Sequence, residues 1–246
     1  MLYFPRFQTV KFEAKDFIPR GKYLIQICKL GMSSFIFQGS MLIVQVVLNN
    51  LLRIYGAQSV YGSEITIAVA GIMQKTNAVF VAIVIGVVQG SQPICSFNYG
   101  AKRYTRVRET VRLLMISTTI ISTVVFLLIQ CFPKQIMGMF GGGTETYFEF
   151  ATMYAKGFAA VMFLNGIQTS CTTFFPSIGK AWKGAIVSLS KQLIFLVPLL
   201  ILFAHLFGVN GIIYATPVSD ALAFVIAASL LYFEMKQMPK EDVTPI

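Results

Sequence analysis

Charge is what this sequence has least of. Asp, Glu, Lys and Arg make up 12% of its 246 residues, against 56% apolar residues. An ordinary soluble domain carries about twice that charged fraction, so a chain of this length cannot cover a soluble core. The surplus apolar surface has to face lipid. Histidine occurs once, at His205, which leaves no set for His-based catalysis or a multi-His metal site. Cys28, Cys95, Cys131 and Cys171 form no C-x-x-C pair, so neither a disulfide framework nor a zinc site is expected. Each cysteine is read as a small buried apolar residue. The run Gly141–Gly143 is not followed by Lys-Ser or Lys-Thr, and Gly179-Lys180-Ala181 lacks the hydroxyl that would hold magnesium, so no phosphate loop is present. Without paired catalytic carboxylates or a Ser/His set, the chain reads as a non-enzyme with no cofactor. The first 31 residues are basic and have no continuous apolar stretch, which speaks against a signal peptide.

What is abundant is long apolar runs. A membrane-crossing helix needs about 20 mostly apolar residues, because the hydrocarbon is about 30 Å thick and each residue rises about 1.5 Å. Six runs meet this: Ser33–Leu52, Ile65–Gly90, Leu113–Phe132, Gly157–Phe175, Ala185–Phe207 and Gly211–Phe233. They are too long and too continuously apolar for the alternating strands of a barrel. The expected fold is an all-α integral membrane lobe of six helices at 32–233. A cytosolic segment at 1–31 precedes it and a cytosolic tail at 234–246 follows. Gly86 and Gly90 in G-x-x-x-G spacing, Gly166, Pro198 and Pro217 fall inside these runs. They suit close helix packing, or bends where helices rock.

The net charge of +10 gains meaning from its placement. Arg6, Lys11, Lys15, Arg20, Lys22, Lys29, then Lys102, Arg103, Arg106, Arg108, Arg112, then Lys180 and Lys183, then Lys236 and Lys240 fall in alternate segments. The other segments hold only Arg53 and Lys134. Fifteen cations against two place both termini in the cytosol by the positive-inside rule. The basic loops are too short to build a folded phosphate-reading face, so no nucleic-acid partner is expected.

Lys75 and Asp220 stand near the centres of apolar runs, where a charge costs at least about 2.5–3.5 kcal/mol on insertion scales. Each is a candidate for a transport pathway. If they pair with one another their role is structural; both readings stand. An acid at Asp220 is able to take up and release a proton during a cycle. Gln38, Gln45, Gln74, Asn77, Gln89, Gln92, Asn165, Gln168 and Gln192 add uncharged polar groups that bond between helices or line a polar interior. Amides and aromatics together suit bulky organic cations.

Gly86-Val87-Val88-Gln89-Gly90-Ser91-Gln92-Pro93-Ile94, running on to Phe97-Asn98-Tyr99-Gly100-Ala101-Lys102, resembles the "G-x-x-Q-G-x-Q-P-I … N-Y-G-A" motif of the MATE (multidrug and toxic compound extrusion) family. Gln168, Phe175 and Ile178-Gly179-Lys180 look like that family's tenth helix and its exit. Ser190-Lys191-Gln192 with Pro198 looks like the eleventh, with Lys191 where arginine is usual. Gly208-Val209-Asn210-Gly211-Ile212, then Ala215, Pro217, Ser219 and Asp220, look like the twelfth. The resemblance implies the carboxy-terminal half of a twelve-helix plasma-membrane exporter, with Met1–Gly31 as the connection between lobes. It implies export of drugs and organic cations in exchange for protons or sodium ions, and a second six-helix lobe, missing or supplied by a second copy. The expected pathway residues are Lys75, Gln89, Gln92, Asn98, Gln168, Gln192 and Asp220. One branch carries acidic ligands in its seventh and tenth helices, whereas Ser33–Leu52 and Gly157–Phe175 have none, so the ion-coupling acids are expected mainly in the other half. The alternatives are a lipid-linked sugar flippase of related architecture and a six-helix membrane assembly factor.

Overall fold

The computed structural model describes residues 21–140, 142–239 and 241–242. Most of the expected amino-terminal segment and the last residues of the tail therefore lie outside the described residues. Helices account for the described chain: α1 (Gly21–Ala57), α2 (Gly62–Gly100), α3 (Tyr104–Cys131), α4 (Pro133–Phe140), α5 (Glu145–Phe158), α6 (Asn165–Ser177), α7 (Ala181–Leu189) and α8 (Val197–Gln237). A short 3-10 turn, Met162–Leu164, precedes α6, and a π-helical stretch, Ser190–Leu196, joins α7 to α8. Residues 1–39 cluster as one unit and 40–246 as another; the account below concerns the second.

Four described helices are long and apolar enough to cross a membrane: Gln38–Ala57, Gly62–Gly100, Tyr104–Cys131 and Ala181–Gln237. Glu145–Phe158 and Met162–Ser177, bent by 41° at the break between them, make a fifth if they form one span. The 57-residue element Ala181–Gln237 is interrupted at Gly208, whose φ of 62° lies in the left-handed region that glycine enters without a Cβ penalty.

Only 17–28% of each apolar window is buried inside the chain. On α3 the buried positions Val107, Val111, Leu114, Thr118, Ser122, Val125 and Ile129 recur every three or four residues, as one face of a helix must. Leu113, Ile116, Ile120, Val124 and Leu127 on the other side are each at least 46% exposed. In water that surface would aggregate; in a bilayer it is the lipid-facing stripe.

Inside, α3 and α6 approach through small and hydroxyl residues. Thr118 and Ser170 share a hydrogen bond of 3.0 Å in which one hydroxyl donates to the other, and the accepting hydroxyl keeps its proton for its own helix, for the carbonyl of Leu114 or of Gly166. A Cβ added at Gly166 would stand 2.5 Å from the Thr118 carbonyl oxygen. Gly166→Ala is therefore expected to lower the thermal unfolding midpoint in detergent. Its gain of about 1 kcal/mol in helix propensity is outweighed by about 1–3 kcal/mol of overpacking against backbone that has no rotamer to change. Gly86→Ala, at a position with nothing within 4 Å, serves as the control and should leave the midpoint unchanged or raise it. Equal destabilisation by the two would show that Gly166 holds no helix contact.

The cysteine expectation needs one correction. Cys95 and Cys171 are buried, but Cys131 is exposed, because it ends α3 beside Phe132, which is itself 51% exposed.

Candidate functional site

Two prolines and a glycine shape the polar centre of the lobe. Pro198 has no N–H to give to the turn before it, and just ahead of it the chain widens into the π-helical stretch that carries Lys191. Such turns concentrate at functional sites. After the Gly208 break, α8 contains Pro217 and presents Ser219 and Asp220, both buried.

There the Lys191 ammonium lies 2.7 Å from Asp220 Oδ1. At that separation ammonium and carboxylate are in direct charge contact. Asn165 Oδ1 accepts from the same ammonium at 3.3 Å. Ser219 Oγ donates to the Lys191 carbonyl at 3.0 Å, and Gln168 Nε2 donates to the Asp220 carbonyl at 2.5 Å. Asn165 and Gln168, three apart on α6, share a helix face, so α6, the π turn and α8 converge on one ion pair. Gln168 Oε1 is buried without a partner. A cavity of about 20 Å³, lined among others by Asn165, Thr169, Ser122 and Val84, opens beside Asn165; that is room for about one water.

The reading in which Lys75 pairs with Asp220 is thereby corrected. Asp220 is committed to Lys191, which the π turn brings within reach, whereas Lys75 is exposed on α2 and has no ion-pair partner among the described residues. Gln89 is also exposed, and Gln92 and Gln192 are half-buried. Asn98 is buried at the other end of α2. Its Nδ2 donates to the Ile94 carbonyl and its own carbonyl accepts from Arg103 N–H, so it closes the helix where the N-Y-G-A motif turns. Of the expected pathway residues, only Gln168 and Asp220 meet. Asn165, expected only as one of the interior polar groups, and Ser219, expected only as part of a motif, join them, and the role of Lys191 as counter-ion was not expected.

Two sets of contacts gather at the end of α8: Glu234 pairs with Lys180 ahead of α7 and Lys183 on it, and the Lys102–Arg112 segment bonds to the residues just after α8. Glu234, 2% exposed, accepts from Lys180 at 2.5 Å and from Lys183 at 2.7 Å. The hydrogen bond to Glu234 holds the Lys180 ammonium above its ordinary pKa, against the opposing effect of burial. Lys183 also lies 5.6 Å over the Trp182 ring. Arg108 donates to the Met238 carbonyl, and Thr105 N–H to Asp242 Oδ1 at 2.8 Å. Asp242 thus satisfies one of the open N–H groups at the start of α3. Among the described residues, no group of three or more His, Cys, Asp or Glu is placed to hold a metal ion.

The body is helical with apolar outer faces suited to lipid, and it holds a partly buried ion pair between the π turn and α8 beside Asn165 of α6. The MatE family model matches residues 31–202, and the chain belongs to this family of multi-pass membrane transporters. It is 24% identical over 233 residues to the Multidrug export protein MepA of Staphylococcus haemolyticus (strain JCSC1435), covering 94% of this chain and 49% of that protein. A solved MATE multidrug transporter, DinF-BH in complex with R6G, shares 31% identity with a TM-score of 0.78 over 94% of this chain and 50% of its own. An inward-facing MATE transporter superposes with a TM-score of 0.80 at 17% identity, over 95% of this chain and 52% of its own. The chain spans about half the length of the curated relatives it matches.

Proposed function

We propose that residues 32–233 form the carboxy-terminal six-helix lobe of a multidrug exporter that expels small organic cations in exchange for protons or sodium ions. The observation that carries this reading is the exposed apolar and polar helix surface of a chain that spans half of its relatives. A second lobe would cover part of that surface and lipid the rest. Ala181–Gln237 counts as two crossings. At about 1.5 Å per residue it is nearly three times the length a hydrocarbon core of about 30 Å requires, and the chain turns at Gly208. With the bent pair as one span, the count is six. The substrate cavity lies at the lobe interface, as in parallel-repeat transporters. Lys75, Gln89 and Gln92 line it from α2, Asn98 and Gln192 flank it, and the Lys191–Asp220 pair with Gln168 couples helix movement to ion binding. The described residues leave no free carboxylate at membrane depth on α2. Cation binding therefore draws on aromatic faces and on acids of the other lobe.

The lobe sits in the plasma membrane, of bacterial inner-membrane type, with both termini cytosolic; the distribution of basic residues supports this. Exposed Cys131, beside Lys134, is a native reporter of the outer side. An impermeant maleimide added to intact cells should label Cys131, and the Cys131→Ser variant should lose that signal. Cysteines introduced at Arg106 or Lys236 should react only after the membrane is opened. Labelling of Arg106→Cys from outside would invert the topology. Transport itself is tested by drug resistance with and without an amino-terminal half, the expected outcome being resistance only with both.

A further inference from the structure

The start of α3 gathers cations that the described residues leave without an anion. Lys102, Arg103, Arg106 and Arg112 are exposed, and none of them forms an ion pair or a side-chain hydrogen bond among the described residues. Two carboxylates stand against them. Glu109 is exposed on the same stretch, and Asp242 accepts from the Thr105 backbone N–H at 2.8 Å rather than from any of the four side chains. An anion thus already sits at this turn, and the cations around it stay unmatched. Below them the surface is apolar. Arg106, Leu113, Ile120 and Leu127 follow one another at seven-residue steps, which on a helix is one face. The three apolar members are 51–59% exposed and belong to the lipid-facing stripe. Arg106 stands about 10 Å beyond the first of them, in the headgroup layer that borders the hydrocarbon.

That continuity decides the partner. A soluble anion or an acidic peptide would use the cations and leave the stripe idle. A phospholipid uses both, its phosphate against the arginines and an acyl chain along Leu113, Ile120 and Leu127. Exposed aromatics mark this end of the lobe as the membrane boundary. Tyr232 and Phe233 are 64% and 56% exposed, and they shortly precede Met238, whose carbonyl accepts from Arg108 of α3; such rings settle at headgroup level. We propose that the Arg103–Arg106 face of α3 binds the phosphate of an anionic phospholipid, with the Asp242 carboxylate as its intramolecular competitor. Basic clusters beside a membrane helix attract anionic lipid by charge, and arginine adds paired N–H donors that match a phosphate. Because lipid and Asp242 compete for one turn, lipid occupancy frees the tail beyond Met238. The leaflet follows from the orientation proposed above; the binding does not depend on it.

The test is native mass spectrometry of the full chain in detergent micelles, with phosphatidylglycerol or phosphatidylcholine added at equal concentration. Phosphatidylglycerol should be retained about tenfold more tightly than phosphatidylcholine. Arg103→Gln/Arg106→Gln should abolish that preference, and Arg103→Lys/Arg106→Lys, which keeps the charge, should preserve most of it. Lys134→Gln/Lys156→Gln removes the same charge near the far end of α3 and should leave the preference unchanged. Asp242→Asn should tighten lipid binding about two- to fivefold by weakening the competitor at the helix terminus. Equal retention of the two lipids overturns the proposal, as does a preference that survives Arg103→Gln/Arg106→Gln or is lost equally in the Lys134/Lys156 control. Retention of inorganic phosphate in place of lipid makes this a soluble-anion site and overturns it too. Lipid affinity indifferent to Asp242→Asn overturns the competition.

Discussion

Asp220→Asn, in the complete transporter, is expected to abolish most gradient-driven efflux while membrane insertion continues. The change removes the counter-charge of Lys191 at 2.7 Å and leaves that ammonium, about one quarter exposed, beside a neutral amide. Breaking a fully buried pair from one side costs about 3–5 kcal/mol, whereas removing both charges is often close to neutral. Exposure of Lys191 puts the stability loss here at the lower end of that range. Transport should suffer more. A change of about 1.4 kcal/mol in a barrier is tenfold in rate, so efflux is expected to fall by about tenfold or more. The double variant Asp220→Asn/Lys191→Gln separates the two roles. If the pair couples ion binding to movement of α8 against α6, the double variant recovers its unfolding midpoint and stays inactive. If the double variant regains efflux with its normal dependence on the gradient, the pair is a structural staple and the coupling role is wrong. Proteoliposome efflux and thermal unfolding, measured on the same three proteins, decide between them.

Why this pair was not legible follows from where its members stand. Lys191 and Asp220 are separated in sequence by the Gly208 break, and only the π turn and that break together set the ammonium against the carboxylate. Apolar runs report membrane helices well, because any long stretch without charge has few other homes. They say little about which charges meet. The span read as Gly157–Phe175 shows a second limit. The structure extends the helical course back to Glu145, and Tyr147, Phe150, Ala151, Tyr154 and Ala155 are buried along it. Their spacing of three and four residues is that of a packed helix face. Glu145, Glu149 and Lys156, interleaved on other faces, break the continuous run that marks a span, so a reading by unbroken apolar length starts too late. Glu234 was missed for a related reason. A lone acid at the end of the last apolar run looks like an ordinary solvated charge until the turn after α6 delivers Lys180 and the start of α7 delivers Lys183 to it. The isolation of Lys75 was half legible: its depth could be read from the run around it, and the absence of a partner among the described residues could not.

The largest expected effect belongs to the chain as a whole. Expressed alone in drug-sensitive cells it should confer no resistance, and beside a separately encoded amino-terminal half from a close relative it should. The apolar windows of its helices are buried to no more than 28% within the chain, and α2 keeps Lys75 and Gln89 on its open side. Lipid satisfies the leucines and valines there but offers nothing to an ammonium or an amide, because no water reaches the hydrocarbon core. A complementary lobe supplies those partners and closes a cavity between the two. The chain covers 49% of the MepA relative from Staphylococcus haemolyticus and 50% of the DinF-BH structure, which fits one lobe of two. A homodimer also has the parallel orientation that a twofold axis demands. It would, however, lack the ion-coupling acids that the family resemblance implies for the other lobe. Resistance only on co-expression, lost again when either half is omitted, is the expected pattern, read as the drug concentration that halves growth. Gradient-dependent drug efflux by the purified chain alone in proteoliposomes would make it a homodimeric exporter, and a second, different lobe would then not be needed.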